Sequence, residues 1–426
     1  MKKFAVTTLG CKVNQYESES VAQSLEAAGQ LPAGDARADI CIINTCTVTH
    51  KAAMQSRQAI RQAIRANPGA RIIVTGCYAQ TEPDEIKKIE GVHDIISHSD
   101  KHRIPGMVSP GESPNPESRI PNSSRTRPFL KIQDGCDAFC TYCIVPYARG
   151  PSRSMQPEEV LENIARLGKA GFHEVVLTGI HLGCYGLDLS PPASLSELLS
   201  CICKLSVIDR IRLSSTEPHE LNEEIISLTA SSDNICHHFH IPLQSGNDGI
   251  LKKMHRPYTR EFFTELILNI RKMIPDAAIG VDTLIGFPGE SEAAFEDTYT
   301  LIEQLPVTYL HVFPFSPRRG TPAYGYPARV PPDIIKARCG KMRELGNLKK
   351  KEFYRIFLNK TVEILIEGRM DKATGLLKGV TSNYIPVLIN GEDDMKNTFV
   401  SVRVEKTDEN NRVFGEKLEE NTKCRL

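Results

Sequence analysis

The chain has 426 residues, which is enough for two to four domains with separate cores, and no apolar run in it is long enough to span a membrane. Its 52 basic and 52 acidic residues balance, so no overall positive charge attracts a nucleic acid, and contact with RNA would require local basic patches. The thirteen cysteines are an odd number in metal-like spacings, which indicates a reducing cytoplasm rather than a secreted protein held by disulfides.

Three segments near the N-terminus each predict a strand that ends in a polar turn with one cysteine. The strands are predicted at residues 4–9, 39–43 and 72–74, and the cysteines that follow them are Cys11, Cys46 and Cys77. Because the carboxyl ends of parallel strands meet at one sheet edge, we expect the three thiols to converge there.

Taken singly, such a cysteine is more often a core residue than a ligand, as we expect for Cys41 within its strand. The three together favour a metal-binding set. We therefore predict a small parallel α/β domain over residues 1–105. Its first apolar segment breaks at Gly10, which argues against a signal peptide.

Residues 106–127 are rich in proline, serine and glycine and have no periodicity, so we interpret them as a linker. Arg119, Arg125 and Arg127 could contact phosphate or simply be solvated, and the sequence leaves both possibilities open.

The segment 129–150, FLKIQDGCDAFCTYCIVPYARG, carries Cys136, Cys140 and Cys143 in the spacing C-x3-C-x2-C. Three thiolates this close can bind three irons of a four-iron cluster and leave the fourth iron open to a substrate or cofactor. The alternative, three buried core cysteines, is disfavoured by the polar, glycine-containing loop.

Residues 128–356 alternate predicted strands and helices in about six βα units, fewer than the eight that close a full barrel. Besides the strand at 129, strands are predicted at 174–177, 211–213, 239–243, 279–285 and 309–313. Small and polar residues follow these strands, as in Thr178-Gly179, and this rim is the active-site face of parallel barrels.

The C-terminal part, residues 357–426, contains short predicted strands with glycine and asparagine turns and is interpreted as a small antiparallel β-barrel. A basic helical segment, KARCGKMRELGNLKKKEFYRIF, precedes it and could be a solvated face or an RNA contact. The barrel itself has slightly more acidic than basic residues, which weakens a purely electrostatic argument for RNA binding.

Seven segments resemble the motifs of one family in their order: GCKVNQYESE, NTCTVT, TGCYAQ, CDAFCTYCIVPYARG, LQSGND, DTLIGFPGE and FSPRRGTPA. They identify the chain as similar to the radical S-adenosylmethionine (SAM) methylthiotransferases over nearly its whole length. The resemblance implies an N-terminal α/β cluster domain, a radical SAM partial (β/α)6 barrel and a C-terminal TRAM domain that binds RNA. It also implies two [4Fe–4S] clusters and SAM as cofactors.

Within the family, NTCTVT and CTYCIVPYARGPSRS resemble the branch that acts on N6-threonylcarbamoyladenosine 37 in the tRNA anticodon loop. That branch inserts a methylthio group at C2, with one SAM as methyl donor and another as radical source. The branch acting on N6-isopentenyladenosine typically has arginine in place of Thr49 and glutamate near Ser152, and it remains the alternative. From another class, a non-catalytic iron–sulfur protein that binds RNA or senses redox state also stays open.

By this resemblance, Cys136, Cys140 and Cys143 would hold the cluster that cleaves SAM, and Cys11, Cys46 and Cys77 the cluster that carries the inserted sulfur. Contacts with SAM are expected from residues of the loop and strand ends: Tyr142, Thr178, Gly179, Ser215, Gln244 and Asp282. Contacts with tRNA phosphate or with the threonyl carboxylate are expected from basic residues, for each of which a structural salt bridge is the alternative: Arg149, Arg153, His255, Arg256, Arg318 and Arg319.

The expected partners are the tRNA anticodon loop and a flavodoxin- or ferredoxin-like electron donor in the cytoplasm, with no membrane. Cys184 is expected near the SAM pocket and sensitive to oxidation. The remaining cysteines are assigned to packing or to incidental thiols: Cys201, Cys203, Cys236, Cys339 and Cys424.

Overall fold

The computed structural model describes residues 1–34, 36–109 and 125–418. Arg119, most of the expected linker and Cys424 lie outside the described residues. Among the described residues, no helix combines the length and the apolar character that crossing a membrane requires.

The N-terminal part is a parallel sheet with strand order β2-β1-β3-β4-β5. Its strands are β1 (Lys3–Thr8), β2 (Leu31–Pro32), β3 (Ile40–Thr45), β4 (Arg71–Gly76) and β5 (Asp94–Ile95). Its helices are α1 (Lys12–Ala27), α2 (His50–Ala66), α3 (Cys77–Thr81), α4 (Pro83–Lys87) and α5 (Ile104–Val108). The three predicted strands are confirmed with ends shifted by no more than two residues.

The central strand β3 is buried along its whole length, as its sequence ICIINT suggests for a strand covered on both faces. Helix α2 begins after Thr49, whose hydroxyl accepts a hydrogen bond from Ala52 N at 3.0 Å. These local signals fix where the polar turns after the strands lie.

The middle part is the partial barrel that the βα alternation predicts. Its strands are β6 (Phe129–Lys131), β7 (Gln133–Asp134), β8 (Arg153–Ser154), β9 (Glu174–Thr178), β10 (Arg210–Leu213), β11 (His238–Gln244), β12 (Ala278–Ile285) and β13 (Tyr309–Pro314). Its helices are α6 (Val145–Arg149), α7 (Pro157–Lys169), α8 (Leu195–Leu205), α9 (Glu223–Ser231), α10 (Asp248–Lys253), α11 (Arg260–Met273), α12 (Glu292–Gln304) and α13 (Pro332–Arg355).

Six parallel strands form two three-stranded sheets, β10-β9-β6 and β11-β12-β13. A parallel bridge between Ile211 and Ile235 and a hydrogen bond from Thr216 N to His240 O at 3.0 Å connect the sheets. Along β9 and β10, Leu177 and Ile211 pack in the apolar core with the helices, whereas the alternating residues are mostly polar and include Glu174, Arg210 and Arg212. The barrel interior is therefore lined by charged and aromatic side chains.

The C-terminal part forms a closed barrel with strand order β14-β15-β16-β18-β17. Its strands are β14 (Thr361–Ile366), β15 (Leu377–Thr381), β16 (Pro386–Ile389), β17 (Phe399–Thr407) and β18 (Val413–Lys417). The predicted small barrel is confirmed; its neighbouring strands are antiparallel except for β16 and β18, which pair in parallel.

Candidate functional site

Three cysteines meet at the carboxyl edge of the N-terminal sheet. Thr45 at the end of β3 is the register partner of Gly76 at the end of β4, and Cys46 and Cys77 directly follow these two residues. Cys11 is the N-cap of α1, and a Cβ atom added to the preceding Gly10 would lie 2.9 Å from Cys46 Cβ. The sheet register therefore brings together the thiols that the sequence predicts to converge.

Burial opposes ionisation of two of these thiols, Cys46 and Cys77, in the free chain. It raises the pKa of Cys46 to about 11 and also raises the pKa of Cys77. The neighbouring thiols add to the rise at Cys46, while Arg149 acts in the opposite direction. Thiolates that lie together at this sheet edge, two of them buried, would repel one another and need compensating positive charge, which bound metal would supply.

The second set of cysteines lies in the loop between β7 and α6. Cys136 N donates to Gly150 O at 3.1 Å, and Cys143 N donates to Cys140 O at 2.9 Å, so backbone bonds shape the loop. Burial raises the pKa of Cys143 to about 12 and raises that of Cys140 as well. This set thus resembles the first in combining buried and more accessible thiols: Cys140 is buried, and Cys136 and Cys143 are partly buried.

Arg256 fixes the aromatic residue of this loop. Its guanidinium donates to the Tyr142 hydroxyl at 2.6 Å and pairs with Glu217 at 2.6 Å. Arg256 was expected at phosphate or carboxylate, but its side chain is only 5% exposed and is used to hold the loop.

The two sets are joined through short helices, because α3 begins at Cys77, α6 begins two residues after Cys143, and α3 packs on α6. Arg149 ends α6 and donates to Asn14 Oδ1 at 2.5 Å, Asp134 Oδ1 at 2.7 Å and Glu17 Oε1 at 3.1 Å. It is 3% exposed. The expected substrate role of Arg149 is therefore corrected to a contact between the two cysteine-bearing parts.

Arg318 makes a second such contact. It is 6% exposed, donates to Thr47 Oγ1 at 2.6 Å and pairs with Glu82, so it also joins the N-terminal sheet to the barrel rather than facing solvent. Arg153 and Arg319 are exposed and remain available to a polyanion. Their contact with tRNA stays a prediction.

A cavity of about 470 Å³ opens beside the second set of cysteines. Its lining includes Cys140, Ser152, His181, Glu217 and His255. Its size is within the range of small-molecule sites. It is the candidate SAM pocket because it lies against the C-x3-C-x2-C loop.

The sequence analysis missed His181, which lines this cavity, and its partner Glu220. His181 Nδ1 lies 3.5 Å from Cys136 Sγ, and its Nε2 lies 2.7 Å from a Glu220 carboxylate oxygen. Cys184 Sγ donates to the same carboxylate at 3.0 Å. Cys184 thus lies near the cavity, as expected; its sensitivity to oxidation stays a prediction. The polar turn after β9 was a signal for His181, whereas Glu220 follows a different strand and had none.

The residues that are predicted to contact SAM differ in how far they are exposed. Thr178 is buried, and Gly179 packs against Gln133, whose Oε1 accepts from His181 N at 2.8 Å. Ser215 is exposed after β10, and Gln244 adopts a φ of 66° at the end of β11. All of these contacts with SAM stay predictions.

Asp282 points into the barrel between two histidines that the sequence analysis did not select. Its Oδ1 lies 2.7 Å from His240 Nε2 and 3.2 Å from His311 Nδ1. Burial acts to raise the pKa of Asp282, but the hydrogen bonds from both histidines prevail and lower it to about 2. Asp282 is therefore an ionised, internally paired group.

Comparisons with known proteins agree with this architecture. Residues 3–97 match the family described as uncharacterized protein family UPF0004, and residues 130–302 match the radical SAM superfamily. The threonylcarbamoyladenosine tRNA methylthiotransferase MtaB of Bacillus subtilis is 39% identical over 426 residues, covering 95% of this chain and 94% of the relative. The protein of the same name from Aquifex aeolicus is 37% identical over 409 residues, covering 91% and 97%.

A relative with a different printed substrate also matches: the tRNA-2-methylthio-N(6)-dimethylallyladenosine synthase of Pelotomaculum thermopropionicum is 33% identical over 426 residues, covering 95% of both chains. Among solved structures, the radical S-adenosylmethionine methyltransferase TsrM from Kitasatospora setae superposes with a TM-score of 0.55 at 15% identity, covering 76% of this chain and 77% of that one. At that identity the likeness concerns the fold alone.

The donor sets fit the cofactors of this class, which are [4Fe–4S] clusters and SAM. Each set would offer three thiols to a four-iron cluster, and one iron would then keep a position for another ligand. The buried positions of Cys46, Cys77 and Cys140 suit thiolates that are stabilised by metal. The chain belongs to the radical SAM methylthiotransferase family.

Proposed function

We propose that the chain inserts a methylthio group at C2 of N6-threonylcarbamoyladenosine 37 in the tRNA anticodon loop, using one SAM as methyl donor and one as radical source. The observation that carries the proposal is the pair of three-thiol sets joined by the packing of α3 on α6. The choice of adenosine is supported by the names of the relatives at 39% and 37% identity.

Two separate sets suit a reaction with two different tasks. When bound, the clusters supply the electron that cleaves SAM and the sulfur that enters the product. Cys136, Cys140 and Cys143 would hold the cluster that supplies the electron, and Cys11, Cys46 and Cys77 would hold the cluster that supplies the sulfur. An unactivated C–H position such as adenosine C2 is poorly suited to acid–base catalysis, which is why radical chemistry is required.

The chain's own part is to fix the two sets relative to each other and to keep water away. Arg149, bonded to Asn14, Glu17 and Asp134, locks the contact at one side, and Arg318 locks it at another. Because these guanidiniums are buried and paired, a shift between the two sets would leave unpaired charge. The contact therefore holds both sets in a constant relation.

The partners follow from the same proposal. The target adenosine lies in a single-stranded loop, where a base can leave the stack and enter an enzyme pocket. Exposed Arg153 and Arg319 contact phosphate, and the C-terminal barrel acts as a TRAM-like RNA-binding domain. A flavodoxin- or ferredoxin-like protein supplies electrons, and the reaction takes place in the cytoplasm.

Single-cysteine variants test this division of labour. The anaerobically reconstituted protein is given an anticodon stem-loop RNA with N6-threonylcarbamoyladenosine, and 5′-deoxyadenosine and methylthio product are measured by mass spectrometry. Cys136→Ala should lower SAM cleavage at least about a hundredfold, because one ligand of that cluster is lost. Cys46→Ala should retain cleavage but form no methylthio product, and Cys201→Ala, at an exposed thiol, should match the wild type.

Full product formation by Cys46→Ala would refute the proposal that Cys11, Cys46 and Cys77 hold the cluster that supplies the sulfur. If the enzyme instead thiomethylates a stem-loop RNA that carries N6-isopentenyladenosine at the same position, the proposed substrate would change to that adenosine. Absence of SAM cleavage by the wild type would favour a non-catalytic iron–sulfur protein.

A further inference from the structure

A second cavity, of about 450 Å³, lies where α1, the strand β6 and the segment after β14 meet. Its lining is rich in cations and includes two aromatic rings, Phe129 and Tyr384; the charged residues of the lining include Lys12, Arg127, Arg212, Arg369 and Glu367. Arg125 also lines it, so basic residues outnumber the single acidic one. The excess positive charge makes this cavity an attractive place for an anion.

The two inner arginines already have carboxylate partners. Arg127 lies 2.5 Å from Glu367 and 3.6 Å from Glu174, and Arg212 lies 2.7 Å from Glu174. Lys12 differs, since no hydrogen bond or ion pair joins its ammonium to another residue in the described ranges 1–34, 36–109 and 125–418. It is nevertheless close enough to Arg127 and Arg212 for their charges to repel it. Arg369 in the same lining is exposed, whereas Lys12 is partly buried. Lys12 is therefore the partly buried cation of the cavity that has no carboxylate partner among the described residues.

The cavity adjoins both the cysteines and the barrel interior. Lys12 directly follows Cys11, the N-cap of α1. Arg212 on β10 and Val176 on β9, which also line the cavity, belong to the polar-facing register of the partial barrel, and Val176 is two residues before Thr178 at the rim. Through Lys12 the cavity adjoins Cys11, and the proposed function places a nucleoside next to that cysteine set.

We propose that this cavity binds the free carboxylate of the threonylcarbamoyl group, with Lys12 as its direct cation and Arg127 and Arg212 maintaining the positive surroundings. The proposal rests on the proposed function and deepens it by naming the basis of substrate choice. An ionised carboxylate would compensate Lys12, whereas an isopentenyl group has no charge and would leave the partly buried ammonium unpaired. The cavity thus discriminates against the apolar isopentenyl group, because binding that group would cost the free energy of leaving the Lys12 ammonium unpaired.

The experiment compares two stem-loop RNAs that differ only at the carboxyl group: one with N6-threonylcarbamoyladenosine and one with its neutral methyl ester. KM and kcat are measured with the reconstituted full chain, and equilibrium binding of both RNAs is measured without SAM. Lys12→Met should raise KM and Kd for the acid RNA about tenfold and change those for the ester by less than about twofold, because only the acid meets the ammonium.

Two further variants complete the design. Lys12→Arg keeps the charge and should stay within about threefold of the wild type on the acid RNA. Lys87→Met, at an exposed lysine paired with Asp84, should leave both RNAs unaffected. Iron content and RNA-free SAM cleavage, measured for each variant, report on the neighbouring Cys11 separately from RNA recognition.

The outcomes are separable. Equal weakening of both RNAs by Lys12→Met, or equal use of both by the wild type, would overturn the carboxylate site while the proposed function stands. Failure of the wild type to thiomethylate the acid RNA at all would instead remove the proposed function, and the carboxylate site with it.

Discussion

Gly76 at the end of β4 shows how one residue sets the spacing of the N-terminal cysteines. It has a φ of +96°, and an added Cβ atom would lie 2.4 Å from Thr45 O and 2.5 Å from Asn44 Oδ1. Only glycine combines this backbone conformation with so close an approach to the end of β3. Since Cys77 follows Gly76 directly, the position of that thiol depends on the absence of a side chain here.

Gly76→Ala should displace Cys77 and lower the iron bound after anaerobic reconstitution from about eight to about four atoms per chain. Gly69→Ala is the matched control, because Gly69 has a φ of +83° but nothing lies within 4 Å of an added Cβ atom. It should cost about 1 kcal/mol through the backbone alone and leave iron unchanged. Equal iron content in the two variants would show that the close approach does not matter.

Helix α1 links the N-terminal sheet to the barrel through a buried carboxylate. Glu17 is 8% exposed and pairs with Lys101, with Lys131 at 3.1 Å and with Arg149 at 3.1 Å. Burial alone acts to raise the pKa of Glu17, but the three cations outweigh it and lower the pKa to about 2. The helix therefore carries an anion on which three segments of the chain converge.

Glu17→Gln should reduce the free energy of unfolding by about 3 kcal/mol at pH 7, because it leaves buried cations without their partner. The folded-state pKa lies below the ordinary value of 4.5, so the stabilisation is complete above that pH and is lost as the pH falls toward 2. The difference between wild type and variant in urea unfolding should thus be constant from about pH 5 to 8 and shrink below about pH 4.5.

Glu19→Gln on the same helix is the control, since Glu19 forms a more exposed pair with Arg125 at 2.9 Å. It should change stability by less than about 1 kcal/mol. Similar losses in the two variants would contradict the assigned importance of the buried network.

At the scale of the whole molecule, the C-terminal barrel closes one end of the partial barrel. Arg212 donates to Ser382 O at 2.8 Å, and Asn383 Nδ2 donates to Asp276 O at 2.9 Å. The Tyr384 ring lies 4.6 Å from the His238 ring. The Arg212 guanidinium lies 5.0 Å from the same Tyr384 ring. The turn between β15 and β16 thus acts as the docking element.

Tyr384→Ala should weaken this docking by about 2 kcal/mol, through lost ring contacts, and increase proteolysis between the barrels. Tyr324→Ala provides a matched control, because Tyr324 is 38% exposed and Tyr384 is 39% exposed, but Tyr324 lies in a short 3₁₀ helix of the middle part. It should cost less than about 0.5 kcal/mol. Limited proteolysis and urea unfolding measure both, and equal behaviour would argue against a docking role.

Much of the architecture follows from local patterns in the chain. Apolar runs such as ICIINT and EVVLT predict buried parallel strands, and the spacing of the cysteines places each one in a turn after a strand or in one short loop. These predictions succeed because strand formation and turn chemistry depend on neighbouring residues. The parallel pairing of β16 with β18 lacked such a signal, since it depends on closing the C-terminal barrel.

The side-chain roles were less accessible, because they depend on residues far apart in the chain. Arg149 looks like a free cation in sequence but meets Glu17, 132 positions away, and Arg127 meets Glu367, 240 positions away. Whether a charged side chain has a partner of opposite charge is decided only when whole domains pack together, because that packing determines both its burial and its neighbours. The amino-acid pattern alone thus defined the strands and the two cysteine triplets, whereas domain packing decided which cations hold the molecule together and left Lys12 facing a cavity.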